Sequence, residues 1–163
     1  MIKIICVGKI KEKYLKDAID EYTKRLSKYT KLEIIEVNDF DSSNIDIILE
    51  KEKDLILKYI DSKDYIITLE IDGNMLSSEE LAKKIDNIFI TNSNIAFIIG
   101  GSYGLHKEIK SLSDFKLSFS KLTFPHQLFR VNLLEQIYRS YKINNNESYH
   151  KWYLFHFVKE NML

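Results

Sequence analysis

The sequence contains very little cysteine, proline or glycine. Its 163 residues include one cysteine, one proline and five glycines. A single cysteine, Cys6, excludes a disulfide framework within the chain, and its apolar neighbours predict a buried thiol. Because Pro125 is the only proline, no proline-rich linker divides the chain. With 45% hydrophobic residues for a continuous core, one domain is expected over residues 1–151.

Long hydrophobic runs are missing as well. The apolar start, residues 1–7, is too short for the core of a signal peptide and leads into Lys9, Lys11 and Lys13 instead of a cleavage site. The uncharged stretch at residues 87–106 has about the length of a membrane span, but it contains three asparagines and a Gly-Gly pair. We therefore expect a cytoplasmic protein that does not enter a membrane.

Two common kinds of site are also absent from the sequence. The four histidines are scattered and no cysteine pair exists, so no metal site is predicted. A dinucleotide-binding fold needs Gly-x-Gly-x-x-Gly after the first strand, whereas this chain has only Gly8 followed by Lys9. A nicotinamide-dependent oxidoreductase is therefore disfavoured, and Glu36 is interpreted as a solvated strand end.

Opposite charges are segregated along the chain although the formal net charge is zero. Residues 1–32 carry nine basic against four acidic side chains, and residues 100–151 carry eight against four. Residues 33–54 carry eight acidic against two basic side chains. This distribution predicts separate positive and negative surfaces, and by itself it is weak evidence for RNA binding.

Apolar periodicity predicts strands that alternate with helices. The predicted strands are residues 2–7, 32–37, 65–71, 95–99 and 116–119. The predicted helices are residues 15–26, 45–60, 77–89, 107–112 and 126–143. Asp72 and Gly73 are predicted to form a turn, and Ser77 with Glu80 has the spacing of a capping box. The alternation predicts an α/β fold with a mostly parallel sheet and helices on both faces.

The last predicted helix is apolar on nearly every side. A terminal helix of a small domain would not bury its whole circumference in its own core, so a homodimer is expected.

Three segments are predicted to meet at the carboxyl edge of the sheet: residues 68–70, 99–104 and 119–126. The glycines at positions 100, 101 and 104 would let backbone groups approach a ligand closely, or they would simply form a tight turn. His126, at the start of the last helix, would either act at this site or pack there as a structural residue.

Two motifs resemble one known family closely. They are Ile-Gly-Gly-x-x-Gly-Leu at residues 99–105 and Thr-Phe-Pro-His at residues 123–126. Shorter matching segments include residues 7–9, 68–70, 76–79, 117–120, 135–139 and 149–151. In this order and spacing they resemble the ribosomal RNA large subunit methyltransferase H family, and the resemblance runs from Met1 to Lys151.

The resemblance implies a fold and a function. The family belongs to the SPOUT methyltransferases, so it implies a carboxyl-terminal trefoil knot, which is a rare exception to topology rules that periodicity does not predict. It also implies a homodimer that uses S-adenosylmethionine to methylate N3 of a pseudouridine in 23S ribosomal RNA on the assembled ribosome. RNA contacts are expected from both subunits, with basic side chains of one serving the site of the other: Lys9, Lys11, Lys13, Lys24 and Arg25.

Site residues follow from the same resemblance. The expected cofactor-binding residues are Leu69, Gly100, Phe119, Ser120, Lys121, Leu122, Thr123 and Phe124, to which the glycine loop adds Gly101 and Gly104. The candidate catalytic residues are His126, Glu135, Arg139, Tyr149 and His150. Among these, Tyr149 and His150 are expected to orient the base and Arg139 to contact RNA or a carbonyl group.

The chain departs from the family after the Tyr-His pair, where family members usually end within a few residues. Residues 152–163 form an extension with several aromatic side chains, which could fold over the pocket, contact a partner or have no role. A ribosome-associated binding protein that lost catalysis through this altered tail is the main competing hypothesis.

Overall fold

Within residues 1–151, the part of the chain that the computed structural model describes, five strands alternate with five helices. The strands are β1 (Ile2–Val7), β2 (Leu32–Val37), β3 (Asp64–Met75), β4 (Asn94–Ile99) and β5 (Phe115–Ser118). The helices are α1 (Lys13–Leu26), α2 (Ile45–Leu57), α3 (Ser78–Thr91), α4 (Lys107–Ser111) and α5 (His126–Asn144). The extension at residues 152–163 lies outside the described residues.

The strands form one sheet in the order β2-β1-β4-β3-β5, and every pair is parallel. Successive residues of β1 point to opposite faces: Ile4 joins one hydrophobic cluster and Ile5 the other. The first cluster includes α1, α3 and α5, and the second includes α2 and α4. The predicted α/β fold with helices on both faces is confirmed, and the trefoil knot stays a prediction.

Local signals place several elements as predicted. The Ser77 side chain accepts from the Glu80 amide while the Glu80 carboxylate accepts from the Ser77 amide, so the capping box that opens α3 is confirmed. Cys6 is buried, and burial raises the pKa of its thiol to about 12, so it stays protonated at neutral pH.

In the described residues no helix is long and apolar enough to cross a membrane, and no group of three or more potential metal ligands is present.

The predicted turn at Asp72 and Gly73 is wrong, because β3 continues through both residues to Met75. Its pairing with β5 shifts register between Leu69 and Asn74, so the intervening residues form an irregularity in the ladder. A Cβ on Gly73 would lie 2.8 Å from the Lys116 carbonyl oxygen. Glycine therefore serves the close approach of two strands here and does not end the first of them.

Helix α5 packs along α1 and α3, which accounts for apolar side chains around much of its circumference. Leu133, Leu134 and Ile137 are fully buried within the chain itself. The apolar pattern of this helix is thus accounted for largely within one chain, and the homodimer stays a prediction. Apolar exposure is concentrated at its first turns and in the preceding loop, at Leu122, Phe124 and Leu128.

Candidate active site

A cavity of about 660 Å³ opens at the carboxyl ends of β3, β4 and β5. Most of its wall lies within residues 69–72, 99–105 and 117–126, which overlap the three segments that the sequence predicts to meet there, and Lys110 and Phe129 complete the lining. Of the ten expected cofactor-binding residues, nine line it, and the remaining one, Lys121, is exposed outside the lining. The volume lies within the usual range for small-molecule sites, roughly 300–1,000 Å³.

The glycine loop after β4 forms one wall of this cavity. The Gly104 amide donates to the Gly101 carbonyl oxygen at 3.1 Å, which closes a turn, and Gly104 has a φ of +80°. A Cβ on Gly100 would lie 2.5 Å from the Gly104 carbonyl oxygen, so no side chain fits at position 100. Both readings of the sequence therefore apply, since the loop is a tight turn and also lines a ligand-sized cavity.

Four of the five candidate catalytic residues come together beside the cavity. Arg139 pairs with Glu135 one turn earlier on α5, and its guanidinium also lies 3.1 Å from His150 Nδ1. The Tyr149 hydroxyl donates to Glu135 at 3.1 Å, and the Arg139 guanidinium carbon lies over the Tyr149 ring, 4.9 Å from its centroid. Tyr149 thus holds the Glu135 carboxylate, and both Tyr149 and His150 contact the Arg139 guanidinium.

The acidic partner of His150 was not predicted from the sequence. Glu79, in the first turn of α3, lies 2.6 Å from His150 Nε2. Since Arg139 can only donate, His150 Nδ1 accepts and Nε2–H donates to Glu79, which fixes the tautomer. The pKa of Glu79 is lowered, first by its own backbone amide and then by His150. Its one sequence signal is its place in the matching segment at residues 76–79.

Tyr149 is a hydrogen-bond donor and not a base in this arrangement. Burial raises the pKa of its hydroxyl above the ordinary value of 10, with further contributions from Tyr22 and the Glu135 charge. The hydroxyl therefore stays protonated at neutral pH and keeps donating to Glu135.

A second cavity, of about 490 Å³, lies next to the first one and reaches Glu135 of this cluster. Glu135 and Asn132 line it on the α5 side. The two cavities share four wall residues: Leu117, Ser118, Phe119 and Phe124. A molecule in the second cavity would thus lie against Glu135 and against side chains that also line the larger cavity.

Comparison with known proteins identifies the family. The family model described as "Predicted SPOUT methyltransferase" matches residues 1–150. Proteins named ribosomal RNA large subunit methyltransferase H from Clostridium novyi and Clostridium kluyveri are 57% and 55% identical, each over 92% of this chain and 99% of the relative. A relative from Methanococcus maripaludis is 60% identical over the same shares. The chain belongs to the ribosomal RNA large subunit methyltransferase H family of SPOUT methyltransferases.

A solved structure supports the SPOUT methyltransferase fold. A probable methylase family protein from Haemophilus influenzae superposes with a TM-score of 0.54 at 13% identity, covering 92% of this chain and 70% of that one. At this level of identity the likeness concerns the fold alone.

The fifth candidate of this SPOUT methyltransferase, His126, lies apart from the Glu135 cluster. It lines the larger cavity, and its ring packs against Gly8, where a Cβ would lie 3.3 Å from Nε2. Burial, followed by the Arg130 charge, lowers the pKa of His126, while Asp39 and Glu12 oppose that effect. The neutral imidazole is therefore favoured at neutral pH.

Glu36 is exposed near the end of β2, as interpreted from the sequence, but its carboxylate is also paired, which the sequence did not indicate. Its carboxylate forms an ion pair with Arg130, and its Oε1 accepts from the Ile10 amide at 3.1 Å. Arg130 is fully buried and also donates to the Gly8 carbonyl oxygen at 3.0 Å. Glu36 thus neutralises a buried cation beneath the amino-terminal end of α5.

Glu52 on α2 is a buried acid that the sequence did not indicate. A Cβ on Gly101 would lie 3.2 Å from both Glu52 carboxyl oxygens, so the acid packs directly behind the glycine loop. Burial raises the pKa of Glu52 to about 7; a hydrogen bond from the Phe40 backbone lowers it and the Asp39 charge raises it. The charge of this SPOUT methyltransferase next to its glycine loop therefore changes near neutral pH.

Substituting Glu52 with glutamine is expected to remove a pH-dependent loss of stability. The folded-state pKa, about 7, exceeds the ordinary glutamate value of 4.5, so folding favours the protonated acid. For this group stability is greatest below pH 4.5, falls as the pH rises towards 7, and is constant above it. Relative to the parent, Glu52→Gln should therefore gain on the order of 2 kcal/mol between pH 5 and pH 8.

Urea unfolding at pH 5, 6, 7 and 8 and one fixed protomer concentration measures this difference. Asp54→Asn, at an exposed position of the same helix, is the control and should show no comparable trend. A Glu52→Gln difference that does not change with pH would contradict the assignment.

Proposed function

We propose that the chain transfers a methyl group from S-adenosylmethionine to N3 of a pseudouridine in 23S ribosomal RNA on the assembled ribosome. The observation that carries this proposal is the shared wall between the ligand-sized cavity and the cavity lined by Glu135. The names of the relatives support large-subunit ribosomal RNA as the substrate. The resemblance in the motifs supports the pseudouridine and its N3 atom.

The residues around the larger cavity fit this cofactor. The apolar side chains of Leu69, Leu117 and Phe129 suit an adenine ring, while the glycine loop presents backbone groups to polar atoms. When bound, the cofactor would supply a methyl group on a positively charged sulfur. The proposed trefoil knot would bring the loops at residues 100–105 and 117–126 around it.

Positioning is the main contribution that we assign to the protein. Methyl transfer is an in-line displacement, so its rate depends on how closely the attacking nitrogen is held and aligned. Glu135 is assigned to take the proton that N3 loses, and Arg139 to donate to a uracil oxygen as negative charge develops on the imide. Tyr149 and His150 keep this pair oriented through the contacts described above.

A homodimer is part of the proposal. Leu122, Phe124 and Leu128 form the exposed apolar region at the start of α5, next to the cavity. The five basic residues named from the sequence would then contact RNA at the partner's site. Sedimentation equilibrium is expected to show that the parent protein is a dimer. Leu128→Glu is expected to shift the equilibrium towards monomer. A monomeric parent protein would refute the proposed homodimer.

Replacing Arg139 with methionine is expected to lower the rate of methyl transfer by about 10²- to 10³-fold, the usual cost of one preorganised donor. The expected affinity for S-adenosylhomocysteine is unchanged, because Arg139 does not line the larger cavity. Labelled methyl transfer to intact ribosomes lacking the modification, followed by mass spectrometry of the RNA, measures the first quantity. Calorimetry measures the second.

Lys142→Met is the matched control, since Lys142 lies on the same helix and pairs with Glu147 instead. It should retain the parent rate.

The same assay applied to a chain ending at Lys151 tests the extension: transfer by that form alone would make residues 152–163 inhibitory. Failure of both forms to transfer would favour the non-catalytic ribosome-binding protein.

A further inference from the structure

A buried threonine hydroxyl holds one carboxylate in place in β3, where the regular pairing with β5 is interrupted. Thr68 is fully buried, and its hydroxyl donates to Glu70 Oε1 at 2.7 Å. The Thr68 amide donates to Ser113 Oγ at 3.4 Å, and the Ser113 hydroxyl donates to the Phe115 carbonyl oxygen at 2.9 Å. The Thr68 hydroxyl also lies 2.8 Å from Ser113 Oγ, so Ser113, Thr68 and Glu70 form one hydrogen-bonded chain that limits the orientations of the Glu70 carboxylate.

The irregularity in β3 explains why this carboxylate is at the cavity. The register shift between Leu69 and Asn74 releases residues 70–73 from regular pairing with β5. Such irregularities often redirect a side chain next to a site. Glu70 lines the larger cavity, although its side chain is only 10% exposed.

The charge of Glu70 is already balanced. Lys110, which also lines the cavity, lies 3.6 Å from Glu70 Oε2. A carboxylate with a cation beside it gains little from a second cation, but it remains a strong acceptor for neutral hydroxyl groups. A pair of adjacent sugar hydroxyls fits this environment better than an ammonium group does. Acids at the ends of parallel strands bind ribose hydroxyls in other nucleotide-binding folds.

We propose that Glu70, oriented by Thr68, is the residue that recognises the vicinal hydroxyls of the cofactor's ribose. This inference rests on the proposed function, because it assigns a role at the same cavity. Asp72 also lines the cavity but is exposed, and no side chain in the described residues holds its carboxylate by a hydrogen bond. Glu70 is therefore a specificity-determining residue, and Asp72 provides a matched control.

Calorimetric binding of S-adenosylhomocysteine and its 2′-deoxy and 3′-deoxy analogues tests the proposal without any methyl transfer. The parent protein is expected to bind the ribose form about 10- to 100-fold more tightly than a deoxy form, as expected for hydrogen bonds to a charged acceptor. In Glu70→Ala the ratio should fall to within about threefold, because the acceptor is gone. Asp72→Asn should keep the parent ratio.

Thr68→Val provides a second variant, which retains the carboxylate but removes the hydroxyl that orients it. Its ratio is expected to lie between those of the parent and Glu70→Ala. An unchanged ratio in both Glu70→Ala and Thr68→Val would overturn the assignment, as would equal binding of ribose and deoxy forms by the parent. If the parent binds none of these compounds, the proposed cofactor fails, and this inference fails with it.

Discussion

Replacing Glu36 with glutamine is expected to destabilise the protein by about 3 kcal/mol, more than replacing its partner Arg130 with methionine. The asymmetry follows from burial: the Arg130 side chain is 0% exposed, whereas that of Glu36 is 34% exposed. Without Glu36, the guanidinium remains in the interior with the Gly8 carbonyl oxygen and no neutralising carboxylate. Without Arg130, the carboxylate can be hydrated from solvent, and methionine fills part of the space.

Urea unfolding of both single variants and the double variant, at one fixed protomer concentration, measures these differences. The double variant is expected to lie within about 1 kcal/mol of Arg130→Met, because the cost of the unpaired cation is removed with the cation. Glu33→Gln, at an exposed position of the same strand, is the control. A larger loss for Arg130→Met than for Glu36→Gln would contradict the asymmetry.

Local sequence signals predicted the elements that local interactions determine. The bounds of β1 and β2 agree with the apolar runs at residues 2–7 and 32–37. The capping box at Ser77 placed the start of α3 to within one residue. In each case the sequence signal, an apolar run or a capping spacing, lies within a few positions along the chain, although the strands themselves pair with distant ones.

Contacts between distant residues were not predictable in this way. Glu36 and Arg130 are 94 positions apart, and Glu79 and His150 are 71 apart. Gly73 looks like a turn residue because its close approach to Lys116 depends on β5, a separate strand. Likewise, a glutamate at position 52 of an acidic stretch gives no sign that it packs behind the glycine loop. Only the folded chain defines the partner in each case.

The candidate active site was predictable from the residue pattern only in part. Periodicity alone predicted that residues 68–70, 99–104 and 119–126 would meet, because carboxyl ends of parallel strands lie at one edge. The grouping of Glu135, Arg139, Tyr149 and His150 was expected only through the resemblance, since nothing in their spacing brings residues 149 and 150 back to α5. Their catalytic roles stay predictions until methyl transfer is measured.

Replacing Gly100 with alanine is expected to lower the affinity for S-adenosylhomocysteine by at least about 100-fold, because a misplaced loop loses several polar contacts at once. An alanine Cβ would lie 2.5 Å from the Gly104 carbonyl oxygen and 2.6 Å from its carbon, both backbone atoms that cannot rotate away. The loop would have to open, which breaks the turn closed by the Gly104 amide and displaces the cavity wall at residues 100–105.

Calorimetry with S-adenosylhomocysteine, together with thermal unfolding of the same samples, separates loss of the site from loss of the fold. Gly104→Ala is expected to lose less affinity than Gly100→Ala. Its φ of +80° makes alanine strained, but nothing lies within 4 Å of the new Cβ. Ser102→Ala, in the same loop, removes only an exposed hydroxyl and should bind normally. Parent-like affinity in a folded Gly100→Ala protein would show that the ligand does not use this loop, and the cofactor assignment would then have to move to another surface.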